Sequence, residues 1–227
     1  TSSRSLLFDE KSNIIEVFQK KFKQIYLNDS WVEHNPDEIL KTVIFCCEKV
    51  LKGKHSKKIL SVGITNQRET IVVWDKNTGK PFYNAIVWQD KRTSKLCEKL
   101  KKDGLEETIN KKTGLLLDPY FSATKIGWIL NNIDGLRRKA ENGKVCVGTI
   151  DTWLIWKLTK GKVFATDVTN ASRTSLFNIR EMQWDIDLLK IFNIPPDCLP
   201  NVKGCDDYYG ETEILSRSIK ITGVIAV

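Results

Sequence analysis

The segment Thr65-Asn66-Gln67-Arg68-Glu69-Thr70 sets a strong hydrogen-bond donor beside a strong acceptor, at a short connection between two β-rich runs. Vicinal hydroxyls both donate and accept, so a donating Arg and an accepting Glu can grip two of them at once. The same pair would equally serve as an exposed ion pair at a turn. Two further segments carry side chains suited to such a ligand. Trp88, in Ile86-Val87-Trp88-Gln89-Asp90, can lay an indole face on the carbon side of a polyol or fill core at a strand end. Tyr120, in Asp118-Pro119-Tyr120-Phe121-Ser122, stands where a helical run begins, with its hydroxyl in a cleft or its ring merely packed. The polar run Thr166 to Thr174 reads as a hydrogen-bonded turn network.

Phosphate chemistry has no familiar motif here. Neither G-x-x-x-x-G-K-[ST] nor G-x-G-x-x-G occurs, so any nucleotide must be held by another kind of loop.

The elements that position these residues follow from local pattern. Leu6 to Phe8 and Ile14 to Phe18 are β-rich around a turn at Asp9 to Asn13, which predicts a hairpin. Asn35 as cap, Pro36 in the first turn and Glu38 as the third member of a capping box start a helix. Its apolar stripe runs from Leu40 through Val43, Ile44, Cys47 and Val50 to Leu51 and ends at Gly53. Ile59 to Thr65, Thr70 to Trp74, Ala85 to Trp88 and Val145 to Ile150 read as strands, the first two joined tightly. Thr93 to Lys102, Ser122 to Asn132 and Thr152 to Leu158 read as helices. The mixture argues an α/β fold with a partly antiparallel sheet, and one domain is the economical reading.

The bulk properties narrow the class. The chain has 227 residues, 41% hydrophobic and 28% charged, an ordinary globular mix. It offers no apolar run of about eighteen residues and no apolar leader at Thr1 to Arg4. The absence of an initiator Met points to processing or to a fragment. Six cysteines without a C-x-x-C pair, and only two histidines, read as a reduced cytoplasmic protein rather than a zinc or disulfide framework. The net charge of +8 is spread over short lysine clusters interrupted by acids and lacking interleaved aromatics, so it reads as solvated surface and not as a nucleic-acid site.

Taken together, the segments carry a resemblance. Tyr120-Phe121-Ser122-Ala123-Thr124-Lys125-Ile126-Gly127-Trp128-Ile129-Leu130-Asn131-Asn132 is similar to the signature of the FGGY carbohydrate kinases, with aromatic, Ser, Lys, Trp and Asn-Asn at that family's spacing. Asn66 to Thr70, Trp88-Gln89 and Asp118 to Ser122 resemble the branch that phosphorylates glycerol rather than pentoses or gluconate. Thr1-Ser2-Ser3-Arg4 resembles the end of the family's phosphate-binding hairpin, and Asp167 to Thr174 matches too, so the likeness runs end to end.

The resemblance implies an actin-like, ribonuclease-H-like ATPase fold with a mixed sheet, in which residues 1–227 form the N-terminal, substrate-binding domain. It implies ATP and Mg2+ as cofactors, glycerol as the polyol, no nucleic acid, no membrane insertion, and room for a homodimer. By position, Arg68, Glu69 and Tyr120 would bind glycerol hydroxyls and Trp88 would pack on the carbon face. Thr1 and Ser2 would touch the ATP phosphates, with Arg4 beside them as a cation. Such positioning and charge neutralisation do most of the work in phosphoryl transfer.

Two departures qualify this. The family's first strand, with a metal-holding Asp-x-Gly, would precede Thr1, and its catalytic Asp would fall at or beyond Val227. A nucleotide domain would follow. The chain alone is therefore expected to be inactive, and a non-catalytic polyol-binding module of the same fold is the alternative. An N-terminal Thr nucleophile with its own amine as base is a third possibility in position only, since nothing else in the chain resembles such a hydrolase.

Overall fold

The structure, a computed structural model, describes residues 1–226; Val227, where the catalytic Asp or its replacement was expected, lies outside them. The first part contains β1 (Ser2–Phe8), β2 (Ile14–Lys21), β3 (Gln24–Asn28), β4 (Trp31–His34), α1 (Pro36–Leu51), β5 (Ser61–Asn66), β6 (Ile71–Asp75) and β7 (Ala85–Ile86). A helical part follows, with α2 (Ser94–Lys102), α3 (Glu106–Thr113), α4 (Ser122–Asn132) and α5 (Leu136–Glu141). The remainder holds β8 (Val145–Thr149), α6 (Ile150–Leu158), β9 (Ala165–Asp167), α7 (Val168–Ala171), β10 (Phe177–Asn178), β11 (Gln183–Trp184), α8 (Ile186–Phe192), β12 (Asn201–Lys203) and β13 (Lys220–Ala226).

Strand β6 organises the packing. Its residues are buried on both faces, and successive side chains of a strand point to opposite sides. Ile71 and Val73 join Ile126, Ile129 and Leu130 of α4 and Leu188 and Leu189 of α8 in one core. Val72 and Trp74 join Ile39 and Leu40 of α1 and Trp153 and Ile155 of α6 in the other. Around β6 runs an antiparallel sheet in the order β3-β4-β7-β6-β8. Parallel pairing occurs in separate two-stranded units, β5 with β13 and β9 with β12.

The opening hairpin forms as its pattern dictates, β1 pairing antiparallel with β2, and Asp9 closes the turn by accepting from the backbone of Lys11 and Asn13. Helix α1 starts where expected, with the Asn35 side chain accepting from the Asp37 and Glu38 amides. The reciprocal half of the capping box is missing. Glu38 instead accepts from the Lys23 amide and so ties the incoming β2–β3 connection to the helix.

The largest departure from the sequence reading is at the connection between β5 and β6. These strands do not pair with each other. β5 lies parallel to β13, with Thr65 opposite Ile225 and Asn66 opposite Ala226, whereas β6 pairs with β7 and β8. The chain therefore crosses from one sheet to another over Gln67 to Thr70. All six cysteines are free, and no helix among the described residues is long and apolar enough to cross a membrane.

Candidate functional site

The crossing puts Glu69 in an unusual backbone conformation, with φ of 61°, a region that residues with a side chain enter at a cost of roughly 1 kcal/mol or more. Its side chain is buried at 1% exposure. A carboxylate so placed requires a partner, and Arg173 supplies it through Nε to Glu69 Oε1 at 2.7 Å. The Arg173 guanidinium also lies over Phe121, 5.0 Å from the ring centroid, and over Tyr120 at 6.0 Å.

This corrects the local reading of Arg68 and Glu69. The ion pair of Glu69 spans 104 residues and leaves its neighbour out. The half-buried Arg68 side chain makes no hydrogen bond or ion pair among the described residues, while its carbonyl accepts from the Thr70 amide at 2.7 Å. Arg68 is thus a cation with its donors unspent, next in the chain to a carboxylate whose Oε2 has no protein hydrogen bond among the described residues.

Tyr120 and Trp88 complete the group. Their ring centroids stand 5.5 Å apart in a tilted arrangement, and Trp88 keeps 37% exposure. The Trp88 amide donates to Thr70 Oγ1, one residue past Glu69, at 3.3 Å. The loop carrying Trp88 is pinned from behind by Asp90, which accepts from the Val32 amide and binds Arg92. Arg92 in turn pairs with Glu33 and lies 4.0 and 4.5 Å from the ring centroids of Trp31 and Trp128. The Tyr120 turn is set by Asp118, whose carboxylate accepts from the Tyr120 amide at 2.8 Å.

A second polar cluster lies at the ends of β5, β9 and β13. Asp151 is fully buried, which pushes its carboxyl up to about 6, against the opposing effect of the Thr149 and Thr166 hydroxyls that donate to it. Asn66 donates to Asn170 Oδ1 at 3.0 Å, and Asp167 caps α7. The Thr169 hydroxyl accepts from the Ala226 amide at 2.8 Å and fixes the end of β13. The polar run Thr166 to Thr174 is therefore the hydrogen-bonded turn network its composition suggests, and it also delivers Arg173.

Thr1, Ser2 and Arg4 make no hydrogen bond to either cluster among the described residues. Thr1 and Arg4 are exposed, and the Ser2 hydroxyl accepts from Gln19 across the hairpin at 2.8 Å. The hairpin is anchored by its alternate residue Ser3, whose hydroxyl bonds to Thr42 of α1 at 2.8 Å.

A buried carboxylate, a phenol and an indole thus share one neighbourhood, tied together by Arg173 and by the Trp88–Tyr120 contact. Residues 1–225 match the N-terminal domain of the FGGY family of carbohydrate kinases. The chain belongs to this family. Glycerol kinases of Petrotoga mobilis and Borrelia duttonii are 54% and 52% identical to this FGGY chain over 99% of its length. The FGGY chain spans 46% of the length of each, about half. Among solved structures, Plasmodium falciparum glycerol kinase with ADP superposes with a TM-score of 0.94 at 39% identity, over 99% of this chain and 46% of its own. A ligand-bound xylulose kinase from Lactobacillus acidophilus shares the fold at a TM-score of 0.86 with 21% identity, over 100% of this chain and 46% of its own. The fold is the actin-like, ribonuclease-H-like one of these sugar kinases.

Two residues that hold this neighbourhood together carry only a weak individual signal in the sequence. Arg173 was visible only as part of a polar run. Lys125 was visible as one member of the signature, yet a charge amid Ala123, Ile126, Ile129 and Leu130 already breaks the apolar face of α4.

Proposed function

We propose that this chain is the substrate-binding part of a glycerol kinase, which transfers the γ-phosphoryl of ATP to a terminal hydroxyl of glycerol and yields sn-glycerol 3-phosphate. The observation that carries the reading is a buried Glu69, satisfied at one oxygen by Arg173, in the neighbourhood of the Tyr120 and Trp88 rings, with the unspent Arg68 next to it in the chain. In this reading Arg68 donates to glycerol hydroxyls, Glu69 Oε2 accepts from one, Tyr120 adds its phenol, and Trp88 covers the carbon face. Holding the polyol in one orientation converts the reaction into a positioned displacement. The terminal oxygen attacks the γ-phosphorus, the bond to the β–γ bridging oxygen breaks, and ADP leaves with the electron pair. The hydroxyl proton passes to a base that the family resemblance puts at or beyond Val227.

Thr1, Ser2 and Arg4 are proposed to meet the ATP phosphates from the open end of the hairpin. β1 and β5 each have one strand neighbour among the described residues, so each offers an edge at which the family's first strand could pair. Magnesium would arrive on the nucleotide phosphates, as is usual for this ion. A cytoplasmic location and a homodimer belong to the same proposal; light scattering on the full-length protein tests the latter.

The function is tested by assaying the full-length protein with ATP and glycerol, xylulose or gluconate. ATP-dependent formation of glycerol 3-phosphate, with little turnover of the other two, is expected. Glycerol binding without turnover would favour the non-catalytic module instead.

A further inference from the structure

Lys125 is fully buried in the first turn of α4 and forms no ion pair among the described residues. Its Nζ donates to three backbone carbonyls: Tyr120, Phe121 at 3.1 Å, and Glu69 at 3.5 Å. Ser122 Oγ donates to the same Glu69 carbonyl at 3.2 Å. An ammonium enclosed without a carboxylate partner is unfavourable, and a residue needed only to fill this space would be Leu or Met. All three acceptors belong to the backbone, so what the contact fixes is the course of the chain. The two segments it joins, Gln67 to Thr70 and Asp118 to Ser122, lie about fifty residues apart in sequence and carry Glu69 and Tyr120.

We infer that Lys125 is a positioning residue of the polyol site, a buried clamp that holds the Glu69 and Tyr120 backbones at the separation the ligand needs, with Ser122 as its second fastener. The inference rests on the proposed function. Titration offers a way to see it. Burial lowers the Lys125 pKa to about 7, against the carboxylates of Glu69, Asp90 and Asp118 and the thiol of Cys97, which favour the charged form. The Cys97 thiol itself is pushed up to about 11 by burial. When the ammonium loses a proton, a lone pair replaces one of its donors, and three carbonyls face two N–H groups. The clamp therefore loosens above pH 7. Stability moves the other way. Between about pH 7 and the ordinary lysine value the unfolded chain holds a proton that the folded chain has released, so this group's contribution to folding stability rises with pH.

The test uses the full-length protein. In Lys125→Met, glycerol KM should rise roughly tenfold or more, while ATP KM stays within about twofold. In the wild type, glycerol KM should climb between about pH 7 and 9 without a fall in melting temperature, and in Lys125→Met that pH dependence should vanish. Should Lys125→Met fail to fold, Ser122→Ala and the wild-type pH profile decide: Ser122→Ala should raise glycerol KM a few-fold. A glycerol KM near the wild-type value in a folded Lys125→Met, or a flat wild-type profile, overturns the inference while leaving the kinase reading intact. A wild type that neither binds nor phosphorylates glycerol overturns both.

Discussion

Glu69 and Arg4 mark opposite ways of building a binding site. Glu69 is buried, sits at a strained backbone position, and is paired with a residue 104 positions away. Arg4 is exposed on a hairpin whose pairing is local, opposite Gln19. The difference matches the ligands proposed for each. A neutral polyol competes poorly with water, so its donors and acceptors must be fixed in advance and kept dry. A polyphosphate carries its own charge and is drawn by exposed cations and backbone amides. The first kind of site needs the whole fold, whereas the second can be presented on an edge and completed from elsewhere.

If that contrast holds, the largest effect comes from breaking the buried pair. Arg173→Met would leave the Glu69 carboxylate buried without a cation. Because Arg173 keeps 29% exposure, the loss should be about 3 kcal/mol, the low end for breaking a buried pair. Melting should then fall by roughly 6–12 °C, and calorimetry would show it together with weakened glycerol binding.

Arg68→Ala sharpens the comparison, because the same neighbourhood should respond without loss of stability. A lost charged hydrogen bond costs on the order of 1.5–3 kcal/mol, so glycerol KM should rise roughly tenfold to a hundredfold. The melting temperature should stay put, since the Arg68 side chain has no protein partner among the described residues. Tyr120→Phe keeps the ring against Trp88 and removes only a hydroxyl with no protein hydrogen bond among the described residues. A glycerol KM raised about two- to tenfold at unchanged melting temperature is expected; a lower melting temperature with unchanged KM would make Tyr120 structural. Arg4→Ala should have the smallest effect, an ATP KM raised about two- to fivefold, fading at high salt, with glycerol KM untouched.

Local elements were legible because their signals are local. The Asn35–Pro36 start of α1, the run that became α4, and the hairpin turn at Asp9 all lie within a few residues of the structure they specify. The crossing after β5 was not. Four residues between two β-rich runs suggest a hairpin, and the true neighbour of β5 is β13, about 160 residues later. Glu69 was visible as a candidate, but its partner was not, since no local pattern links a carboxylate to a guanidinium 104 residues away. The family resemblance supplied Arg68, Glu69, Tyr120 and Trp88 as a set, and the structure brings Glu69, Tyr120 and Trp88 into one neighbourhood with Arg68 adjoining Glu69 in the chain. It supplied Thr1, Ser2 and Arg4 as well, and these stay on the separate hairpin.

The most direct measurement is a calorimetric titration of glycerol into the full-length wild type and its Arg68→Ala variant, with ATP titrated into both as control. The account predicts one saturable glycerol site in the wild type, weakened roughly tenfold to a hundredfold in Arg68→Ala, with ATP affinity unchanged. Equal glycerol affinities in the two proteins would contradict it and return Arg68 to the protein surface.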